Sequence, residues 1–216
     1  MFIGQGRRAI LAAAVFGIIF AYHGTVSAQT NIVDDWSKVA PPPAPDLKLA
    51  VLDAKTTALV VMDFVKQSCN EQGRPHCVAL IPKVKAMIDT AKAKNAMIIW
   101  TLPPGPKPED FLPQIAPPAG TKLVVGPVDK FVGTDLDKEL KDKGITTLVV
   151  TGTSAHGAVL YTASQAAIRG FKVIVPVDGM SATAPYAEQA TAYILTTAPV
   201  LSGNVTLTRG DLITYR

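Results

Sequence analysis

The chain alternates short unbroken apolar runs with longer segments whose apolar residues recur at helical spacing. Ala58-Leu59-Val60-Val61-Met62 has no polar position at all, the pattern of a strand buried on both faces. From Val78 to Lys94 the apolar residues Leu80, Ile81, Val84, Met87, Ile88 and Ala91 fall on one stripe, which predicts an amphipathic helix. Pro82 belongs in a first turn, so the spacing places the true start of that helix near Ile81. Further strands are predicted at Ala96–Trp100, Lys122–Val125, Leu148–Thr151, Lys172–Val177 and Val205–Thr208. Helices are predicted at Thr134–Lys143, His156–Arg169 and Pro185–Thr196, the first two stopped by Gly144 and Gly170. Strand–helix alternation of this kind implies right-handed parallel crossovers and a three-layer α/β/α sandwich with a mostly parallel, Rossmann-like central sheet.

Ligands of such sheets bind beyond the carboxyl ends of the strands. The positions to watch are therefore Asp63, Thr101 onward, the loop from Gly126 to Lys130, the turn from Gly152 to His156, and Asp178. Asp63 closes an apolar strand, where a charge must find a partner or face a cleft, or else cap the next segment. The stretch from Pro103 to Gly120 holds seven prolines and cannot be regular structure; it reads as a lid or as a stiff surface loop.

The ends of the chain change the picture. Arg7 and Arg8 precede an apolar run from Ala9 to Tyr22, and Val26-Ser27-Ala28 is a small-residue site before Gln29. That is the layout of a secretory signal peptide over 1–28, and its run falls short of the roughly 20 residues that span a bilayer. Residues 29–50 read as a leader arm stiffened by Pro41-Pro42-Pro43-Ala44-Pro45, leaving 51–216 as one domain with no membrane association after processing. A periplasmic or secreted location is expected. The formal charge of +4 drops by two when Arg7 and Arg8 are removed, and no dense basic face remains to hold a nucleic acid. Cys69 and Cys77 are candidates for a disulfide in an oxidising compartment; a zinc site from Cys69, His76 and Cys77 is the weaker alternative, lacking a fourth ligand. Glycine-rich phosphate loops and metal-ligand spacings are absent, so neither an organic cofactor nor a metal is implied.

Two segments carry a family resemblance. Thr57-Ala58-Leu59-Val60-Val61-Met62-Asp63-Phe64, with Cys69 shortly after, resembles the first strand of the isochorismatase-like (cysteine hydrolase) superfamily, which ends in a catalytic aspartate. The run from Gly144 through Thr151-Gly152-Thr153-Ser154-Ala155-His156-Gly157-Ala158-Val159 to Gly170-Phe171-Lys172-Val173 and Val177-Asp178-Gly179 is similar to that family's strand–turn–helix–strand segment. With Phe131 to Leu136, the likeness covers most of residues 55–180.

The resemblance implies an aspartate base, a lysine and a cysteine nucleophile at a helix start. Asp63 takes the first role. Ala158 stands where the motif puts the cysteine, which removes a thioester mechanism on that register. The Ala155-His156 turn is closer to isochorismatases proper, which cleave a vinyl ether with an aspartate acid and no covalent intermediate. For the lysine, Lys130 is the candidate and Lys122 the alternative. Ala155, His156, Ala158 and Trp100 are expected around a small-molecule substrate, although Trp100 also reads as core and His156 as a capping or packing residue. Ser154 reads as backbone turn rather than substitute nucleophile. The family likeness also places a non-proline cis peptide at Ser154-Ala155 and points to a homo-oligomer, with the helix carrying Val159 and Tyr161 as a candidate interface. The functional expectation is an exported hydrolase of a small molecule working through Asp63; the alternative is a binding protein that kept the pocket and lost the chemistry.

Overall fold

The computed structural model describes residues 31–216. The signal-peptide reading of 1–28 lies outside them. The chain divides into two units at Pro41/Pro42. In the first, a one-turn helix α1 (Ile32–Asp35) is capped by Asn31, whose side chain accepts from the Val33 and Asp34 amides, and a 3₁₀ turn follows at Trp36–Lys38.

The second unit is built on a parallel sheet. Its path runs β4 (Leu123–Val125), β3 (Met97–Leu102), β2 (Thr57–Met62), β5 (Thr147–Thr153), β6 (Lys172–Pro176), β8 (Val205–Thr208), with β7 (Met180–Ser181) paired to the end of β5. All six residues of β2 are buried, because β3 and β5 flank it and helices cover both faces. On one face lies α2 (Pro75–Ala93), packing Leu80, Val84, Met87, Ile88 and Ala91 against Leu59, Val61, Trp100 and Val149. On the other lie α3 (Leu136–Asp142), α4 (Leu160–Ile168) and α5 (Pro185–Thr197), packing Leu140, Ala163, Ala166 and Leu195 against Val60, Met62, Val150 and Val175. The three-layer expectation holds. β5 approaches β2 so closely that a Cβ on Gly152 would lie 2.7 Å from the Met62 Cβ and 3.0 Å from its carbonyl oxygen.

Several details depart from the sequence reading. α2 starts at Pro75 and runs through Pro82, rather than starting near Ile81. Tertiary burial of Cys77, Leu80 and Ile81 overrides the proline signal there. The helix expected from His156 begins instead as a π turn over Ala155–Val159, with a non-helical backbone at Gly157, before α4 proper. Val159 is fully buried in the chain's own core, so of the two residues singled out for an interface only Tyr161 is exposed. The leader arm is not separate from the body up to residue 50. The Lys48 amide donates to the Leu207 carbonyl at 2.9 Å, and β1 (Ala50–Leu52) pairs in parallel with β9 (Ile213–Tyr215) in a second small sheet. The proline-rich stretch is a loop anchored to the body, in keeping with the stiff-loop alternative. Two 3₁₀ turns, Pro108–Asp110 and Pro113–Ile115, bury Phe111 and Ile115, and Phe111 bridges to Val65.

Candidate active site

The strand order reverses direction of winding between β2 and β5, and the crevice beyond their carboxyl ends is where such sheets hold ligands. Asp63 is the first residue past β2. Its φ of +60° is left-handed, a region aspartate tolerates better than most residues. That backbone breaks the alternation of the strand: Met62 packs with the α4 side of the core, yet Phe64, two residues on, packs with the α2 side. The carboxylate is thereby turned toward β3 and the loop after β4.

Two donors meet it. Thr101 Oγ1 donates to Asp63 Oδ1 at 2.6 Å, and Lys130 Nζ lies 2.8 Å from Oδ2. Lys130 is 0 % exposed, and its ammonium also donates to the Gly126 carbonyl at 2.9 Å. The loop that delivers it is pinned from below: the Lys130 amide donates to Thr162 Oγ1, which donates onward to the Val128 carbonyl. Burial pushes the Asp63 carboxyl above the usual carboxylate range, opposed by the charge and hydrogen bond of Lys130 and by Thr101. Burial likewise lowers Lys130, opposed by Asp63. Burial thus draws the proton affinities of the acid and the amine toward each other, up for Asp63 and down for Lys130.

Across the crevice, β5 ends at a cis peptide between Thr153 and Ser154. It lies one residue earlier than the expected Ser154-Ala155 position. In the turn that follows, the Ser154 carbonyl accepts from the Gly157 and Val159 amides. A Cβ on Gly157 would meet Ser154 Oγ at 2.6 Å, so any larger residue there displaces the serine hydroxyl. Ala155 and Ala158 are buried at its base and His156 is exposed.

The other sequence-singled residues fall elsewhere. Lys122 pairs with Glu139 at 2.7 Å on the surface, away from Asp63. Trp100 faces the α2 side, its indole donating to the Ile115 carbonyl at 3.0 Å, whereas its neighbour Thr101 reaches Asp63. The indole is therefore core, and it does not join the Asp63 cluster. Asp178 accepts from the Gly210 amide at 2.9 Å and shapes a turn. Cys69 and Cys77 form a disulfide, which rules out the zinc alternative that used both as thiolates. Among the described residues no His/Cys/Asp/Glu group has metal-binding geometry, and no helix is long and apolar enough to cross a membrane. Thr101 and Thr162 carried no signal beyond their places at a strand end and on a helix stripe; only the fold reveals them as partners of Asp63 and Lys130.

The family described as the isochorismatase domain matches residues 57–205, more than half of the chain, and this stretch runs from the start of β2 to the start of β8. The chain belongs to the isochorismatase family. The isochorismatase family protein YecD of Escherichia coli O157:H7 is 28% identical over 155 residues, covering 61% of this chain and 82% of that protein. N-carbamoylsarcosine amidase of an Arthrobacter species is 30% identical over 113 residues, covering 49% of this chain and 43% of that one. Among solved structures, N-carbamoylsarcosine amidase from Thermoplasma acidophilum superposes with a TM-score of 0.61 at 25% identity, covering 72% of this chain and 97% of that one. An isochorismatase family protein from Desulfovibrio vulgaris gives a TM-score of 0.65 at 18% identity, covering 73% and 95%, a likeness of fold. The chain thus has an isochorismatase-family hydrolase fold with amidases among its relatives.

Proposed function

We propose that the protein is an exported hydrolase of a small molecule that uses Asp63 as general acid–base and forms no thioester. The observation that carries this reading is the buried Asp63–Lys130–Thr101 cluster at the switch point of the sheet. On the register of the family motif, Ala158 takes the place of the nucleophilic cysteine, and the chain's two cysteines are joined to each other. A buried carboxyl with a raised pKa is suited to protonating a leaving group or activating water at neutral pH. Lys130 lies within proton-transfer reach and offers positive charge for a developing anion.

Export is supported by the charged start, apolar run and small-residue site before Gln29, and by a disulfide of the kind that persists in oxidising compartments. A mature chain beginning at Gln29 in the periplasmic or culture fraction, found by mass spectrometry, is the expected result.

The catalytic reading is tested with a panel of amides, esters and vinyl ethers. Asp63→Asn is expected to lower turnover by at least about a hundredfold, the scale of positioned acid–base catalysis, while ligand affinity stays within a few-fold. Failure of the wild-type protein to turn over any member overturns it. The second reading, a binding protein without chemistry, then stands; it is favoured by the self-satisfied ion pair, in which each carboxylate oxygen already has a donor.

A further inference from the structure

Arg74 flanks the start of α2 and is carried by the loop that the Cys69–Cys77 disulfide closes. Its Nη1 donates to the side-chain hydroxyl of Thr153 at 2.5 Å. Its Nε–H is buried and has no acceptor, and no carboxylate among the described residues pairs with the guanidinium. The buried lysine at this end of the sheet is matched by contrast: Lys130 has Asp63. Desolvation alone depresses the guanidinium pKa, as expected for a charge drawn out of water without a counter-ion. Holding such a charge without a partner is unfavourable, and it is relieved when an anion arrives.

Its location gives the anion a meaning. Met62 of β2 is in register with Gly152 of β5, so Asp63 and Thr153 are the next residues on adjacent strands. On its other side Thr153 is in register with Ser181, whose hydroxyl is fully buried and also lacks a partner. The guanidinium thus lies at the same carboxyl end of the sheet, on the α2 side, while the Asp63–Lys130 pair occupies the α4 side. A guanidinium fork matches the planar, two-oxygen geometry of a carboxylate.

We propose that Arg74 determines specificity by receiving a carboxylate group of the substrate, whose scissile bond then lies toward Asp63. The inference rests on the small-molecule hydrolase reading for the identity of the crevice, and it narrows the substrate class to carboxylate-bearing molecules. The disulfide holds the loop that presents the guanidinium, so recognition and the oxidised state of the loop are linked.

The test is an NMR titration of ¹⁵N-labelled full-length protein with sodium propionate and with its neutral isostere propionamide at constant ionic strength. Propionate is expected to shift the Arg74 Nε–H and the Thr153 and Ser181 amides saturably. Propionamide is expected to bind at least about tenfold more weakly, as for loss of a charge-assisted hydrogen bond. Arg74→Gln is expected to lose the propionate preference, with Arg74→Lys retaining part of it. Equal responses to the two probes, or a preference that survives Arg74→Gln, overturn the proposal. If Arg74→Gln does not fold, the wild-type contrast at the Arg74 Nε–H decides alone. Asp63→Asn is expected to keep the propionate response. Carboxylate binding without turnover therefore rejects only the hydrolase reading, and turnover without carboxylate preference rejects only the role of Arg74.

Discussion

Replacing Lys130 by methionine probes the centre of the site, because the substitution keeps length and removes charge. In the native protein the ammonium is out of contact with water and bonds Asp63 Oδ2 and the Gly126 carbonyl. Lys130→Met leaves the carboxylate buried beside Thr101 alone. Asp63 escapes by taking a proton, and the penalty is then the free energy of protonating a carboxyl whose unfolded pKa is 3.8. At about 1.4 kcal/mol per pH unit, that amounts to roughly 4 kcal/mol at pH 7 and roughly 1.6 kcal/mol at pH 5. The orphaned Gly126 carbonyl adds about 1 kcal/mol at either pH. The sign follows from linkage: the folded pKa is raised above 3.8, so the folded variant holds a proton that the unfolded chain releases. Its stability is highest below pH 4 and falls as pH rises through that window until the folded carboxyl itself ionises. Urea unfolding of wild type, Lys130→Met, Asp63→Asn and the double variant at pH 5 and pH 7, followed by circular dichroism and tryptophan fluorescence, measures this. The singles are expected to lose about 3–5 kcal/mol at pH 7, and the double variant far less than their sum, since a buried pair can be replaced as a unit. Additive losses, or a Lys130→Met penalty that does not change with pH, would refute the coupled buried pair.

Three further outcomes are expected. Gly152→Ala forces a Cβ to within 2.7 Å of Met62 at the β2–β5 seam, and is expected to cost about 2–3 kcal/mol by urea unfolding; a change below about 0.5 kcal/mol contradicts the close approach. The double variant Cys69→Ser/Cys77→Ser opens a loop of sequence separation 8 and is expected to lose about 2.5 kcal/mol, matched by wild type in reductant. Ala158→Cys places a thiol at the start of the α4 segment, and iodoacetamide alkylation against pH is expected to give a thiol pKa clearly below about 8.5; an unshifted value contradicts an electropositive turn there.

The fold was legible because its strands are buried on both faces, so continuous runs such as Ala58–Met62 and Leu148–Thr151 announce themselves without any pairing information. The glycine stops worked for a local reason: Gly144 and Gly170 have φ of +68° and +90°, which side chains avoid. Pro82 misled because burial of its neighbours outweighs a local preference. The β1–β9 pair was invisible because its partners are three residues long and separated by the whole domain. Within the site, Asp63 was readable as a charge ending an apolar strand. Lys130 was named through the family resemblance and its place in the loop beyond β4, and it does meet Asp63; the contact itself depends on that loop folding back, about which sequence distance says nothing. Trp100 and Thr101 show the limit most sharply: adjacent residues at a strand end go to opposite faces, and the less conspicuous one reaches the carboxylate.

The pairing of β1 with β9 has a mechanical consequence. The strands run parallel, with the Arg216 amide on the Leu52 carbonyl and the Ala54 amide on the Arg216 carbonyl. Tension applied upstream of Ala50 and at Arg216 therefore drags the two strands along one another rather than prising them apart. The rungs must give way together, so the pair resists such tension as a clasp rather than as a zipper.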